Sequence, residues 1–138
     1  HMLAYFGDSV GGYGSNGLFF SPARGDNVSR GAISCGDTSA PWGAETGING
    51  TEYDDGKPHL AIVTINAKKI AYYLDGKLCG SAVLSEANRI SAISTNFAYL
   101  AKGGYTGDPE WLGQIHEFRV YNKALTVGEA DFLFSQGK

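Results

Sequence analysis

The glycine-rich stretch from Gly36 to Gly56, GDTSAPWGAETGINGTEYDDG, is predicted to be one long polar loop. It combines two kinds of side chain that can bind a sugar. Trp42 and Tyr53 offer aromatic faces on which a pyranose ring could stack, and neighbouring amide and carboxylate groups could bind its hydroxyls. Tyr105, beside a second turn-rich stretch, is a further aromatic candidate. We predict a ligand site that draws on Trp42, Tyr53, Asn49, Asp37 and Tyr105. Trp42 could alternatively fold inward and anchor the loop.

The acidic residues do not form the pattern that glycoside hydrolysis needs. Such enzymes use two carboxylates placed together at the scissile bond. Glu110 and Glu117 are separated by Gly113, and the two aspartates of EYDDG fall in a polar stretch. We therefore expect no catalytic activity from this chain.

Metal and redox sites also lack a diagnostic spacing. A calcium ion needs several oxygen ligands from loops, and four aspartates could contribute: Asp37, Asp54, Asp55 and Asp108. We expect no cofactor, with a structural calcium ion left open. Cys35 and Cys79 fit no CxxC motif, so a disulfide and two free thiols both remain possible readings.

Length and charge narrow the class of protein. The 138 residues are enough for one domain with a sizeable core. His1 and Met2 are typical of a cloning site, so the domain is taken as residues 3–138. The net charge of −3, without basic runs, argues against nucleic acid or an anionic membrane as a partner. No run of 18 apolar residues is present, so we expect no membrane span.

Short apolar runs between turn signals predict an all-β sandwich or barrel. Asp75-Gly76, between KIAYYL and KLCGSAVL, is typical of a two-residue hairpin turn. The run HLAIVTI just before it is apolar on both faces, which predicts a strand in the middle of a sheet.

The C-terminal part predicts a strand followed by a helix. GQIHEFRVY alternates like a strand, with Glu117 and Arg119 on one face. We interpret these two charges as an ion pair rather than as ligand contacts. Thr126 and Glu129 have capping-box spacing, which predicts a helix over about 127–135, ended by Gly137.

These motifs together resemble the laminin-G-like, concanavalin A-like modules of bacterial proteins. The resemblance rests on YLDGK and on the stretch from NFAYLA to ADFL. The matching positions are Tyr73, Leu74, Asp75, Gly76, Lys77, Trp111, Gly113, Ile115, Glu117, Phe118, Arg119, Val120, Tyr121, Ala124, Leu125 and Glu129. It implies a jelly-roll sandwich of two antiparallel sheets. Modules of this kind are often appended to secreted glycoside hydrolases or adhesins, and they commonly bind glycans.

The chain departs from the family pattern at three points. His116 stands where the family has an aspartate, and Pro58-His59 stands where it has Trp-His. The family also usually begins with further strands, so the resemblance implies an unpaired edge, with GQIHEFRVY as the nearest candidate. Unpaired edges recruit other chains, so we expect self-association.

The prediction for function is a carbohydrate-binding accessory module of an extracellular or cell-surface protein, with a polysaccharide or oligosaccharide as partner. The alternative is a structural or protein-interaction module without affinity for glycans.

Overall fold

The computed structural model describes residues 2–10, 12, 15–36 and 43–137. These ranges contain eight strands, a single turn of 3-10 helix at Ile90–Ala92 and one α-helix. The strands are β1 (Ala4–Ser9), β2 (Ser15–Ser21), β3 (Val28–Ser34), β4 (Thr46–Thr51), β5 (Ala61–Ile65), β6 (Lys69–Leu74), β7 (Lys77–Val83) and β8 (Phe97–Leu100), and the helix is α1 (Val127–Gln136).

The strands form two antiparallel sheets. Five follow the order β4-β3-β2-β1-β8, and three follow the order β5-β6-β7. This arrangement confirms the predicted all-β sandwich of two antiparallel sheets with a short C-terminal helix. Side chains alternate along each strand, so the five-stranded sheet has an inner face towards the second sheet and an outer face away from it.

Register assigns the main residues of the two faces. Phe6, Leu18 and Ile33 lie opposite one another on the inner face. Tyr5, Phe19 and Ala32 do so on the outer face, where Met2 packs with them in a buried cluster. Between the sheets, Ile33 of β3 and Ile70 of β6 share a second buried cluster.

Two glycines allow the sheets to approach closely. A Cβ atom on Gly31 of β3 would lie 2.2 Å from Val63 of β5, and one on Gly50 of β4 would lie 2.9 Å from the ring of Tyr72. The three-stranded sheet therefore covers the inner face mainly at β3 and β4. The inner face of β1 and β8 lies beyond it.

The segment of residues 112–121 reaches that remaining part of the inner face through Phe118. The Phe118 ring stacks on Phe6 of β1, with 5.9 Å between the centroids. The backbone N–H of Trp111 donates to the carbonyl of Ala101, just after β8, over 2.9 Å. The structure describes all of residues 111–126 and assigns no strand there. The predicted strand GQIHEFRVY is therefore wrong, because no backbone in the described ranges pairs with it.

The predicted turn and cap are confirmed. Asp75 and Gly76 join β6 to β7 with φ values of +52° and +78°, the left-handed region that such a turn requires. At α1, the Thr126 N–H donates to the Glu129 carboxylate over 2.8 Å and the Thr126 hydroxyl accepts from the Glu129 N–H. Gly137 is the C-cap.

Two other sequence predictions are wrong. The run HLAIVTI forms β5 at the edge of the three-stranded sheet rather than in its middle, because only β6 pairs with it among the described residues. The stretch from Gly36 to Gly56 is not one long loop, because β4 lies within it and pairs with β3. The two cysteines are free thiols, Cys35 buried and Cys79 exposed.

Candidate functional site

Arg30 lies at the centre of a polar cluster on the outer face of the five-stranded sheet. Register places it directly opposite Asn49 of β4, and its Nη1 donates to Asn49 Oδ1 over 2.6 Å. Its Nε donates to Oε1 of Glu45, the residue just before β4. We call Arg30, Glu45 and Asn49 the Arg30 cluster.

The ion pair of the Arg30 cluster is largely shielded from water. The side chains of Arg30 and Glu45 are 15% and 9% exposed, whereas Asn49 is exposed. A shielded pair is screened less by solvent, and removing one partner leaves an uncompensated charge. The pair therefore holds the Asn49 side chain at a fixed position on the surface.

The cluster retains unused hydrogen-bonding capacity. Within the described ranges, the second carboxylate oxygen of Glu45 accepts no hydrogen bond and the amide nitrogen of Asn49 donates none. One is an acceptor and the other a donor. Such a combination suits a hydroxyl-rich ligand, in which each hydroxyl can both donate and accept.

Gly47 explains why the guanidinium of Arg30 can lie flat on β4. A Cβ atom on Gly47 would lie 2.8 Å from Arg30 Cζ and 2.5 Å from Ala32 Cβ. Distances this short do not occur between real atoms, so a side chain at this position would displace Arg30. The absence of a side chain at Gly47 therefore leaves the space that the Arg30 guanidinium occupies.

Tyr105 lies on the same outer face as the cluster, packed against β2. Its half-buried ring meets Phe19 of β2 edge-on, with 6.3 Å between the centroids. Burial first, and then the negative charge of Glu45, raise the pKa of Tyr105. Its hydroxyl therefore remains protonated and can donate a hydrogen bond at neutral pH.

Backbone contacts hold the loop that carries Tyr105. The Thr106 N–H donates to the Gly12 carbonyl over 2.8 Å, and the Gly12 N–H donates to the Thr106 hydroxyl over 2.6 Å. Gly104 lies directly on the Tyr5 ring, since a Cβ there would be 2.4 Å from it. The loop is thus fixed against the outer face.

The predicted site residues divide into three groups. Asn49 is bonded to Arg30, and Tyr105 packs against Phe19 on the same outer face. Tyr53 is buried, with its ring 5.7 Å from that of His59, and burial, followed by the proximity of Tyr72, raises its pKa. Its hydroxyl has no hydrogen-bond partner in the described part of the chain. Asp37 and Trp42 lie outside the described residues.

A second polar group surrounds His59, just before β5. His59 Nδ1 lies 2.8 Å from Asp75, and Nε2 lies 2.9 Å from Asp55. Burial acts to lower the pKa of His59, but the hydrogen bonds to Asp55 and Asp75 outweigh it and raise the pKa. Lys57 first, and then His59, lower the pKa of Asp55. This group ties β5 to the hairpin turn that begins at Asp75.

Calcium binding receives no support from the proposed aspartates that the structure describes. Asp55 is bonded to Lys57 and His59, and burial raises the pKa of Asp108. Across the described residues, no three His, Cys, Asp or Glu side chains are grouped so that they could hold a metal ion.

Sequence reasoning missed Arg30 and considered Glu45 only as part of a polar stretch. The one available signal was the isolated charge of Arg30 within the strand VSRGAIS. The partner of that charge depends on the register between β3 and β4, which the sequence pattern does not specify.

Residues 4–130 match the family described as the concanavalin A-like lectin/glucanases superfamily, Laminin_G_3. The match covers most of the chain, so the protein belongs to this family, and the resemblance noted from the sequence is confirmed. No curated protein matches the chain. No helix in the described ranges is both long and apolar enough to cross a membrane.

A crystal structure of an S-layer domain-containing protein from Clostridium thermocellum ATCC 27405 is similar, with 21% identity and a TM-score of 0.48. The alignment covers 97% of this chain and 62% of that one. The chain thus spans less than two thirds of the length of that solved protein.

Proposed function

We propose that this protein is a non-catalytic carbohydrate-binding module of a secreted or cell-surface protein, and that the Arg30 cluster and Tyr105 contact the glycan. The observation that carries the proposal is the shielded Arg30–Glu45 pair, which fixes the exposed Asn49 side chain on the outer face. The Tyr105 ring packs against Phe19 on that same face. Sugar sites combine aromatic surface with a few well-placed polar groups. Membership of a lectin and glucanase superfamily supports the same class of ligand.

The absence of catalysis is part of the proposal. Within the described residues, the cluster contains one carboxylate, Glu45, which is already paired with Arg30. Glycoside hydrolysis generally needs two carboxylates, one of which must act as an acid. We therefore expect no release of reducing sugar from arabinan, xylan or β-glucan.

Location outside the cell is likewise proposed from the family resemblance. Modules of this type are often parts of secreted glycoside hydrolases or adhesins. The glycan would then belong to a plant or microbial polysaccharide, which the module would hold near a partner domain.

Retardation of the protein in native gels that contain soluble polysaccharides tests the proposal. Asn49→Ala should weaken binding by about 0.5–1.5 kcal/mol, the usual contribution of one hydrogen bond. Asn122→Ala is the matched control, because Asn122 is also exposed and lies outside the cluster. Its binding should equal that of the unchanged protein.

A second variant pair separates this site from the stretch that includes Trp42. Tyr105→Ala should weaken binding if the glycan lies on the outer face. If Asn49→Ala and Tyr105→Ala bind normally while Trp42→Ala loses roughly 1–3 kcal/mol of binding free energy, the site lies at the 37–42 stretch instead.

The alternative is a structural or protein-interaction module without affinity for glycans. It is favoured by the exposed apolar side chains of residues 112–121, since large apolar patches mark protein contacts. Failure of the unchanged protein to bind any polysaccharide in the panel would support this alternative.

A further inference from the structure

Glu45 of the Arg30 cluster lies one residue outside the ladder between β3 and β4. Among the described residues, the pair of Ile33 and Thr46 ends that ladder, and β4 begins at Thr46. Strand pairing therefore does not hold the backbone of Glu45 directly. Its side chain is nevertheless only 9% exposed and is bonded to Arg30. The contacts that hold Glu45 are made by the residues on either side of it.

The side chain of Asn88 bonds to both neighbours of Glu45. Its Nδ2 donates to the Ala44 carbonyl over 2.6 Å and to the Thr46 hydroxyl over 2.9 Å. Its Oδ1 accepts from the backbone N–H of Cys35, just after β3, over 2.6 Å. One side chain from the segment that follows β7 thus joins the end of β3 to the start of β4.

The amide of Asn88 suits this place better than other side chains of its size. It is fully buried, and its oxygen and its nitrogen are both bonded. The Cys35 N–H can only donate and the Ala44 carbonyl can only accept, so the two ends of the amide cannot be exchanged. An aspartate carboxylate would leave the Ala44 carbonyl without a donor, and a leucine would leave both backbone groups unpaired.

Asn88 reaches the Arg30 cluster from the opposite face of the five-stranded sheet. Thr46 is paired with Ile33, an inner-face residue, so the hydroxyl that bonds to Asn88 lies on the inner side. Successive side chains of an extended segment alternate, and Glu45 bonds to Arg30 on the outer face. The printed contacts of Asn88 therefore act on the cluster through the chain around Glu45.

We propose that Asn88 is a positioning residue of the glycan site, which fixes Glu45 so that Glu45 holds Arg30 and Arg30 holds Asn49. This inference rests on the proposed function, but the positioning can be measured without a glycan. The Nε–H of Arg30 donates to Glu45, and it exchanges with water when that bond opens. Its exchange rate therefore reports how firmly Glu45 is held.

Thr46→Val is the mildest substitution that tests the proposal. It removes the hydroxyl that bonds to Asn88 and keeps the branched shape of the side chain. By NMR, the Arg30 Nε–H should exchange about twofold to tenfold faster, the range expected for one lost hydrogen bond. Thr46→Ser keeps the hydroxyl, so its exchange rate should equal that of the unchanged protein.

Thr126→Ala is the matched control. It also removes a threonine hydroxyl that accepts a hydrogen bond, but at the cap of α1. That helix packs against the turn before β7, whereas Asn88 lies in the segment after β7. Urea unfolding should show a loss of stability, while the exchange rate of the Arg30 Nε–H should not change. Equal acceleration in the Thr46→Val and Thr126→Ala variants, or no acceleration in Thr46→Val, would overturn the proposal.

Asn88→Asp tests the same contacts at the amide itself. The carboxylate can still accept from Cys35 but cannot donate to Ala44, so exchange of the Arg30 Nε–H should be faster than in Thr46→Val. If this variant does not fold, Thr46→Val still decides the outcome.

Retardation in polysaccharide gels separates this inference from the proposed function. If the Arg30 cluster binds a glycan, Thr46→Val should weaken retardation and Thr126→Ala should not. If the exchange rates respond as expected but the unchanged protein binds no polysaccharide, Asn88 positions Glu45 and the glycan function is wrong.

Discussion

The inner face of the five-stranded sheet is covered differently at its two ends. At β3 and β4 it meets the three-stranded sheet, and Ile33 and Ile70 are fully buried between them. At β1 the described contact is the Phe118 ring on Phe6, and Phe118 remains 43% exposed. The sheet itself is continuous across both ends.

The comparison shows that alternation alone does not make a strand. KIAYYL pairs on both sides, with β5 and β7, and forms β6. GQIHEFRVY has a similar alternation and contacts the five-stranded sheet through Phe118, yet it pairs with none of the strands that the structure describes. A strand needs backbone partners as well as a face to bury, and only the first run has them.

The largest expected loss of stability comes from a substitution between the sheets, and it can be compared with a substitution over β1. Ile70→Ala should lower the free energy of unfolding by about 2–5 kcal/mol, because it empties a fully buried position. Phe118→Ala should cost under about 2 kcal/mol, because its side chain is already partly in water. Urea unfolding at low protein concentration measures both. Equal losses would mean that the open end is packed as tightly as the covered one.

A smaller loss of stability is expected at α1, which packs against the three-stranded sheet. α1 packs against the β6–β7 turn, where a Cβ on Gly76 would lie 3.1 Å from Asp131. Thr126→Ala removes the side-chain cap of α1 and should cost about 1 kcal/mol in urea unfolding. Thr126→Ser keeps the capping hydroxyl, so this variant should retain most of the stability that Thr126→Ala loses. An unchanged midpoint for the alanine variant would show that the helix does not contribute to stability here.

The His59 group should make the covered end sensitive to pH. The pKa of His59 is raised in the folded state above its usual value of 6.5. Protonated His59 therefore stabilises the fold fully at pH values below 6.5, and this stabilisation is lost as the pH rises through the pKa of the folded state. Asp55 and Asp75 face the imidazole, and Tyr53 beside it stays neutral because its pKa is raised.

Urea midpoints measured from slightly acid to alkaline pH test this dependence. The unchanged protein should lose stability as the pH rises, and His59→Gln should flatten that slope because glutamine does not titrate. An equally steep slope in the variant would assign the dependence to another group.

The smallest effect is expected at the open end. Glu117 and Arg119 form the ion pair predicted from the sequence, but their side chains are more than half exposed. Such pairs contribute little, so Glu117→Gln should change the free energy of unfolding by less than about 0.5 kcal/mol. A larger loss in urea unfolding would show that the pair orders residues 112–121.

Features that depend on a few neighbouring residues were predictable from the amino-acid sequence. The turn at Asp75-Gly76 follows from the conformations that these two residues accept, and the cap of α1 follows from the three-residue spacing of Thr126 and Glu129. The family and its sandwich fold were also predictable, because motif spacing and turn frequency are local patterns.

The tertiary structure decided which distant residues meet. Arg30 and Asn49 became neighbours through the register of β3 and β4, and Tyr53 turned inward although it lies in a polar stretch. Likewise, β5 became an edge strand because no described backbone pairs with its other side. Strand pairing joins residues far apart along the chain, and its free energy depends on the whole set of partners. The alternation of apolar and polar residues in one segment therefore indicates that a strand can form. Whether it forms depends on the strands that lie beside it in the folded protein.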